Sequence, residues 1–508
     1  MRGKKTVINT LMALMEVLVA VICGFILPRL ILSAFGSKYN GLTTSITQFL
    51  GCAVLLRSGI GGVTRSALYK PLANKDEDQI NAIIKATDIY MKKIGVILAA
   101  IIIIFATMYP NFIKDEFDWL FTFSLFIIIG ASTFAESFFG ITYLTLLEAD
   151  QQLWVSSLIK IICYILNTIL AAILIHCGFG IHVVKLGSSV VYVLYPIILS
   201  IYVKKKYKIN LNVTPNNNAI SQRWDAFWHQ VAVFVMNNTD VMVLTVCTNM
   251  LEVSVYSVYN IVINGLKRIV FSFSNGLEAA LGNMIAKQEK DVLKENIALI
   301  ELIMFAVSTI IYTSASLLIT SFIGVYTKGI EDINYIRPVF AYVLILAQFF
   351  NCVRLPYQLV VQASGHYKQT KKGAIIEPII NLTASTILVV KLGLIGVAIG
   401  TLLATLFRTT QYSFYMSKYI VKRNQLLSLF RCIVSFLEAS CIYFIVYGLR
   451  FMLPDNYFEW MGQAIWIVLI SVIVVGVGSI TFYKNDIIIL LNKIKNIFFS
   501  HNKKKKGA

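Results

Sequence analysis

The chain has 508 residues, 57% of them hydrophobic and only 14% charged, with a formal net charge of +19. Soluble domains hold about 25% charged residues, so a soluble protein with a single anchor is excluded. Mean hydropathy is +0.73, and the apolar residues come in blocks of about 20 or more, enough for a helix to cross a hydrocarbon core roughly 30 Å thick. A β-barrel is excluded by the same blocks, because its strands alternate apolar and polar over about ten residues.

The predicted spans, in chain order, lie at 7–33, 42–66, 90–109, 119–145, 153–176, 181–203, 225–249, 253–284, 297–325, 336–362, 373–391, 394–416, 429–449 and 461–483. The opening MRGKK and its apolar run imitate a signal peptide. The run continues well past the 7–15 residues of an h-region and shows no A-x-A site, so it reads as an uncleaved first span. The longest polar connection, KKKYKINLNVTPNNNAISQR at 204–223, follows the sixth span. It divides the chain into an N-terminal six-helix lobe (1–203), a basic inter-lobe loop (204–223), a second six-helix lobe (224–417), an additional helix pair (418–484) and a basic tail (485–508). The expected fold is therefore an all-α polytopic membrane protein of about 14 transmembrane helices. Two bundles related by a pseudo-two-fold axis along the membrane normal would surround a central cleft, an arrangement typical of transporters.

Lysine and arginine are distributed by side. With the N-terminus cytoplasmic, the inner segments carry 30 of them, while the outer loops carry only 5: Lys38, Lys114, Lys328, Lys391 and Arg450. Acidic residues gather in outer loops such as KDEFD (114–118). This positive-inside asymmetry predicts that both termini are cytoplasmic. It assigns the net positive charge to topology and to anionic lipid, with the KKKK run at 503–506 as the clearest case, and it leaves nucleic acid without a role. The eight cysteines form no C-x-x-C pair and read as small buried hydrophobes, so no metal site is expected.

Ionisable residues inside a span cost about 2.5–3.5 kcal/mol each and need a partner, a cavity or a nearby interface. Lys160, Lys185 and Arg65 lie near span ends, where snorkelling accommodates them. Others lie deeper: Arg57 in LLRSGIGG, the tandem Lys267–Arg268, Asp240 in MNNTD, and Glu16, Glu136, Arg354, Arg408 and Glu438. Successive helix residues point about 100° apart, so Lys267 and Arg268 cannot hide behind one another. The sign is informative. Spans 1, 2 and 8 hold Arg29, Arg57, Arg65, Lys267 and Arg268 against Glu16 and Glu278, the reverse of a cation pathway. Guanidinium forks match phosphate oxygens in bidentate fashion, which points to a diphosphate or another anionic headgroup.

The first span ends in PRLIL..FG...YNGL and the second carries RSGIGGVTR. These motifs, with the fourteen-span layout and the break after span 6, resemble the polysaccharide (Wzx-type) flippases of the multidrug/oligosaccharidyl-lipid/polysaccharide (MOP) exporter superfamily, over essentially the whole chain. The resemblance implies a V-shaped pair of bundles that alternates between inward- and outward-open states. Its cargo would be an undecaprenyl-diphosphate-linked oligosaccharide repeat unit, moved across the bacterial cytoplasmic membrane for surface polysaccharide. Glycosyltransferases and a polymerase of the same pathway are the implied partners, and no cofactor is implied beyond Na+ or H+ as a coupling ion. By position, the cavity arginines of the similar lipid II flippases map onto Arg29, Arg57 and Arg268, and their sodium site maps onto Asp240, Asn381 and Thr383. Glu377, one turn before Asn381 and beside Pro378, departs from that pattern.

Other classes fit less well. No G-x-x-x-x-G-K-[ST] occurs to bind ATP. A membrane glycan polymerase or ligase would need acidic or histidine residues in a sizeable outer loop, whereas the five histidines (His176, His182, His229, His366 and His501) form no cluster; no enzyme activity is expected. A drug or cation antiporter of the same superfamily is the nearer alternative, and the arginine-over-carboxylate balance opposes it.

Overall fold

A backbone inside hydrocarbon must satisfy its own hydrogen bonds, which leaves helices as the solution for apolar blocks of this length. The computed structural model describes residues 2–58, 60–113, 116–220, 238–272, 281, 284–285 and 290–493. Side chains are described for most of these, Arg57 not among them. Among the described residues there are helices and no strands, and eleven helices are long and apolar enough to cross a membrane, from Ile8–Phe35 to Tyr457–Phe482. Of the three other predicted spans, 42–66 is built as two helices, Ser37–Ser58 and Ile60–Asn74. The predicted 225–249 span is described only as the short Asn238–Cys247 helix. The predicted 253–284 span coincides in part with Met250–Ser272, whose Glu252, Lys267 and Arg268 lower its apolar character. The protein is a multi-pass, all-helical membrane protein.

The first helix, Arg2–Phe35, runs without a break through Pro28. It stops at Gly36, whose φ of +86° is a left-handed value that glycine adopts at little cost. Helices elsewhere begin where a side chain caps the free amides. Asp76 accepts from Gln79 N at 3.0 Å, Asp118 from Leu120 N at 3.1 Å and Asn456 from Glu459 N at 3.0 Å.

The chain divides into two compact units, Met1–Ile261 with Gly329–Ile333, and Val262–Lys328 with Asn334–Ala508. In the first, a core of Leu68, Ile84, Tyr143, Leu146, Leu199 and Val203 joins four helices. Polar contacts fix the start of Ser37–Ser58: Asp332 accepts from Ser37 N at 2.6 Å, and Asn40 Nδ2 donates to Ser254 Oγ at 2.8 Å and Ser257 Oγ at 2.9 Å. In the second unit, Leu318, Ile442, Val446, Ile467 and Val475 tie Lys290–Tyr326 to Leu426–Gly448 and Tyr457–Phe482. Large apolar side chains such as Leu18, Val390 and Phe444 remain exposed, as expected of surfaces solvated by lipid rather than water.

Glu116, in the connection before the Trp119–Ala135 helix, accepts from Met250 N at 3.1 and 3.2 Å. Burial pushes its carboxyl above the ordinary carboxylate range, against the opposing effects of the Met250 amide and Lys38. The folded protein therefore binds this proton more readily than the unfolded chain. The associated stability is present at low pH and is lost as pH rises through the raised value. Between pH 7 and pH 5 the thermal midpoint of the wild type should rise relative to that of Glu116→Gln, which lacks the titrating group. Parallel pH profiles for the two proteins would refute this.

Candidate functional site

Charged side chains in a membrane protein must be paired, hydrated or functional, and most of those foreseen from the sequence have partners. In the first unit Glu16 pairs with Lys160 at 3.2 Å, so Lys160 is held by a carboxylate and not by snorkelling alone. Arg65 pairs with Glu148 at 3.2 Å, with both side chains partly exposed. Arg29 is half-buried near the end of the first helix. Glu136 opens a π-helical turn, Glu136–Gly140, inside the span that begins at Trp119. Such turns recur at functional sites. Asp240 is buried and accepts from the Tyr256 hydroxyl at 2.9 Å.

The second unit holds the remaining candidates. Lys267 is half-buried, with its ammonium 5.4 Å from the Phe271 ring centroid, and Arg268 is exposed. Neither shields the other. Glu278 and the Arg57 side chain lie outside the described residues. Asn381 is buried, donating from Nδ2 to Thr401 Oγ1 at 3.4 Å and accepting from Ser385 Oγ at 3.2 Å. Thr383, two residues on, points away from this group and is exposed, because two residues turn a helix by about 200°.

Arg354 and Arg408 converge on Glu377. Arg354 Nη1 donates to Glu377 Oε1 at 2.5 Å, and Arg408 Nε lies 3.4 Å from Oε2. Arg354 also donates to Asn351 Oδ1 at 2.6 Å. Arg408 is buried, donating to the Thr370 carbonyl at 3.1 Å and the Tyr412 hydroxyl at 2.6 Å, with its guanidinium 4.0 Å from the Tyr412 ring centroid. This guanidinium and the Gln411 amide pack directly on Gly373, where a Cβ would displace both side-chain ends. Lys267 is within electrostatic reach of Arg354, Cys352 and Glu377. Cys352 in turn meets the Tyr312 hydroxyl at 3.1 Å. Tyr312 also lines a largely apolar cavity of about 680 Å³, shared with Thr313, Ser316, Phe349, Ser435 and Tyr443.

A second buried network was not foreseen. Glu301, fully buried on Lys290–Tyr326, accepts from Arg423 Nη1 at 2.8 Å and faces Arg431 Nε at 3.5 Å. Arg431 reaches Asp486 at 2.9 Å. Burial works against the charge of Arg423, and the Glu301 carboxylate more than offsets it, holding the guanidinium above its ordinary value. The sequence signal is weak, because Arg423 falls in the short basic connection between the predicted spans 394–416 and 429–449 and Arg431 at the very start of the second.

No protein-family model and no curated protein matches the chain. Solved structures do. The lipid II flippase MurJ in an inward closed conformation superposes with a TM-score of 0.72 at 16% identity, covering 95% of this chain and 100% of that one. The chain has the fold of the MOP exporters. An inward-facing multidrug resistance MATE family transporter of the MOP superfamily aligns at a TM-score of 0.62 and 14% identity, over 78% of this chain and 95% of the other. A eukaryotic MATE transporter gives 0.58 and 13%, over 84% and 97%. Flippases and drug transporters thus share the MOP fold with this chain, and the fold by itself does not choose between them.

Proposed function

We propose that this protein is a transporter that moves undecaprenyl-diphosphate-linked oligosaccharide repeat units across the bacterial cytoplasmic membrane by alternating access, with both termini cytoplasmic. The observation that carries this reading is the sign of the charge in the second unit. Lys267, Arg354 and Arg408 stand there with Glu377 as their nearby carboxylate, and Arg268 adds a further, exposed cation. A site for organic cations needs a carboxylate free of arginine, and in this cluster Glu377 is occupied by two. Arginine forks and a lysine point charge suit the oxygens of a diphosphate.

In this reading Arg57 and the Lys267–Arg268 pair hold the diphosphate, Arg29 guides it near the end of the first span, and Arg65 stands at a rim. Asp240 with Asn381 are the candidates for a coupling Na+ or H+. Glycosyltransferases and a polymerase of the same pathway would supply and consume the cargo. The test is heat protection of the purified protein. A lipid-diphosphate sugar should raise the thermal midpoint where tetraphenylphosphonium and ethidium do not. Protection by the organic cations alone would favour the antiporter reading.

A further inference from the structure

Three cations of the second unit gather around one carboxylate, leaving a formal charge of +2 among the described groups Lys267, Arg354, Arg408 and Glu377. Buried charge is tolerated when it is compensated, and within a membrane the need is stronger. Among the described residues Lys267 forms no ion pair; its ammonium lies over the Phe271 ring, with Arg354, Cys352 and Glu377 within electrostatic reach.

The two arginines differ in how far they are committed. Arg408 is enclosed, with its side chain 5% exposed and its nitrogens on Glu377, Thr370, Gln411 and Tyr412. Among the described residues Arg354 holds only Glu377 and Asn351 and its Nε has no hydrogen-bond partner, and its side chain keeps 15% exposure. Glu377 can therefore release Arg354 and remain neutralised by Arg408. The reverse exchange would strip a buried guanidinium.

We propose that Arg354 and Lys267 form a receptor for a phosphate-type oxyanion, with Glu377 as its built-in competitor. In the empty protein the carboxylate occupies Arg354. An arriving dianion takes Arg354 in bidentate fashion and Lys267 as a point charge, and Glu377 stays on Arg408. The competitor gives reversibility: a transport site must bind well enough to load and weakly enough to unload, and Glu377 re-forms its pair as the anion leaves. This assignment rests on the reading of the cargo as a diphosphate.

The test uses the purified full-length chain in detergent with inorganic pyrophosphate as the probe, read as thermal midpoint against concentration. Glu377→Gln removes the competitor and should reach half-maximal protection at about tenfold lower pyrophosphate than the wild type, a difference of about 1.4 kcal/mol. Arg354→Gln and Lys267→Gln should each need about tenfold more or show no protection. Glu377→Asp, with its carboxylate withdrawn by one methylene, should fall between wild type and Glu377→Gln, and it serves if the glutamine variant yields little folded protein. Unchanged or weaker protection in both Glu377 variants would overturn the proposal, as would indifference of protection to Arg354→Gln and Lys267→Gln. Farnesyl diphosphate as a second probe should give the same rank order. Protection by it that ignores all three substitutions places recognition in the hydrocarbon chain and also overturns the site. A pyrophosphate rank order as expected, together with failure to move a lipid-diphosphate sugar, would leave the site standing and remove the cargo.

Discussion

Replacing Glu301 with glutamine is expected to remove most of the folded protein. Its carboxylate is fully buried between Arg423 and Arg431, and Arg431 is itself only 1% exposed. Breaking one side of a buried ion pair costs about 3–5 kcal/mol, because the abandoned charge has no water to return to. Asp486 still compensates Arg431, but among the described residues Arg423 keeps as side-chain hydrogen-bond partners the hydroxyls of Ser417 and Ser428, both at 3.4 Å, with Asp486 acting on it only at longer range. The readout is the monodisperse fraction on size-exclusion chromatography after extraction, with the thermal midpoint of what survives. The double variant Glu301→Gln/Arg423→Gln should recover much of the loss, since it removes the stranded charge with its partner. A single variant as abundant and as heat-resistant as the wild type would show that this network contributes little.

Neutralising Arg268 or Arg57 is expected to abolish surface polysaccharide while leaving the amount of protein in the membrane intact. For Arg268 the physical reason is visible. It is exposed and forms no ion pair among the described residues, so Arg268→Gln strands no buried partner among them. Loss of a charged contact to a diphosphate costs about 2–5 kcal/mol, enough to slow translocation by more than tenfold. Arg268→Lys and Arg57→Lys should rescue only in part, because the planar fork is lost. Full export by both glutamine variants would remove these residues from the cargo path.

The fold was legible in the sequence because its cause is one-dimensional. Apolar blocks of membrane length can only be helices, and the caps Asp76, Asp118 and Asn456 stand where such blocks begin. Charge partners were harder to read, since pairing depends on the rotation and neighbours of each helix. In the sequence Glu377 shows only as a carboxylate beside Pro378 that departs from the sodium-site pattern, yet it holds Arg354 and Arg408. Depth counting finds part of this only with the helix ends as the structure sets them, since the predicted bounds 336–362 and 373–391 give unequal offsets. Arg354 lies nine residues before the end of Pro338–Ala363, and Glu377 nine residues after the start of Lys368–Leu392. Antiparallel neighbours with equal offsets place side chains at equal depth, at 1.5 Å per residue. No such count singles out Glu301, whose partners Arg423 and Arg431 come from a turn and the helix start that follows it. Nor could the sequence show that Thr383 would face outward while Asn381 chose Thr401 and Ser385.

The central claim is that the cationic groups of this MOP fold serve an anionic lipid-linked sugar. Its most direct measurement is translocation in proteoliposomes of the purified protein, loaded with a fluorescent polyprenyl-diphosphate oligosaccharide and assayed by its accessibility to an added membrane-impermeant glycosidase. The account predicts movement of the labelled lipid by the wild type and at most a tenth of that rate in Arg268→Gln. Equal rates in wild type, Arg268→Gln and protein-free vesicles, alongside gradient-driven export of an organic cation by the same preparation, would contradict it.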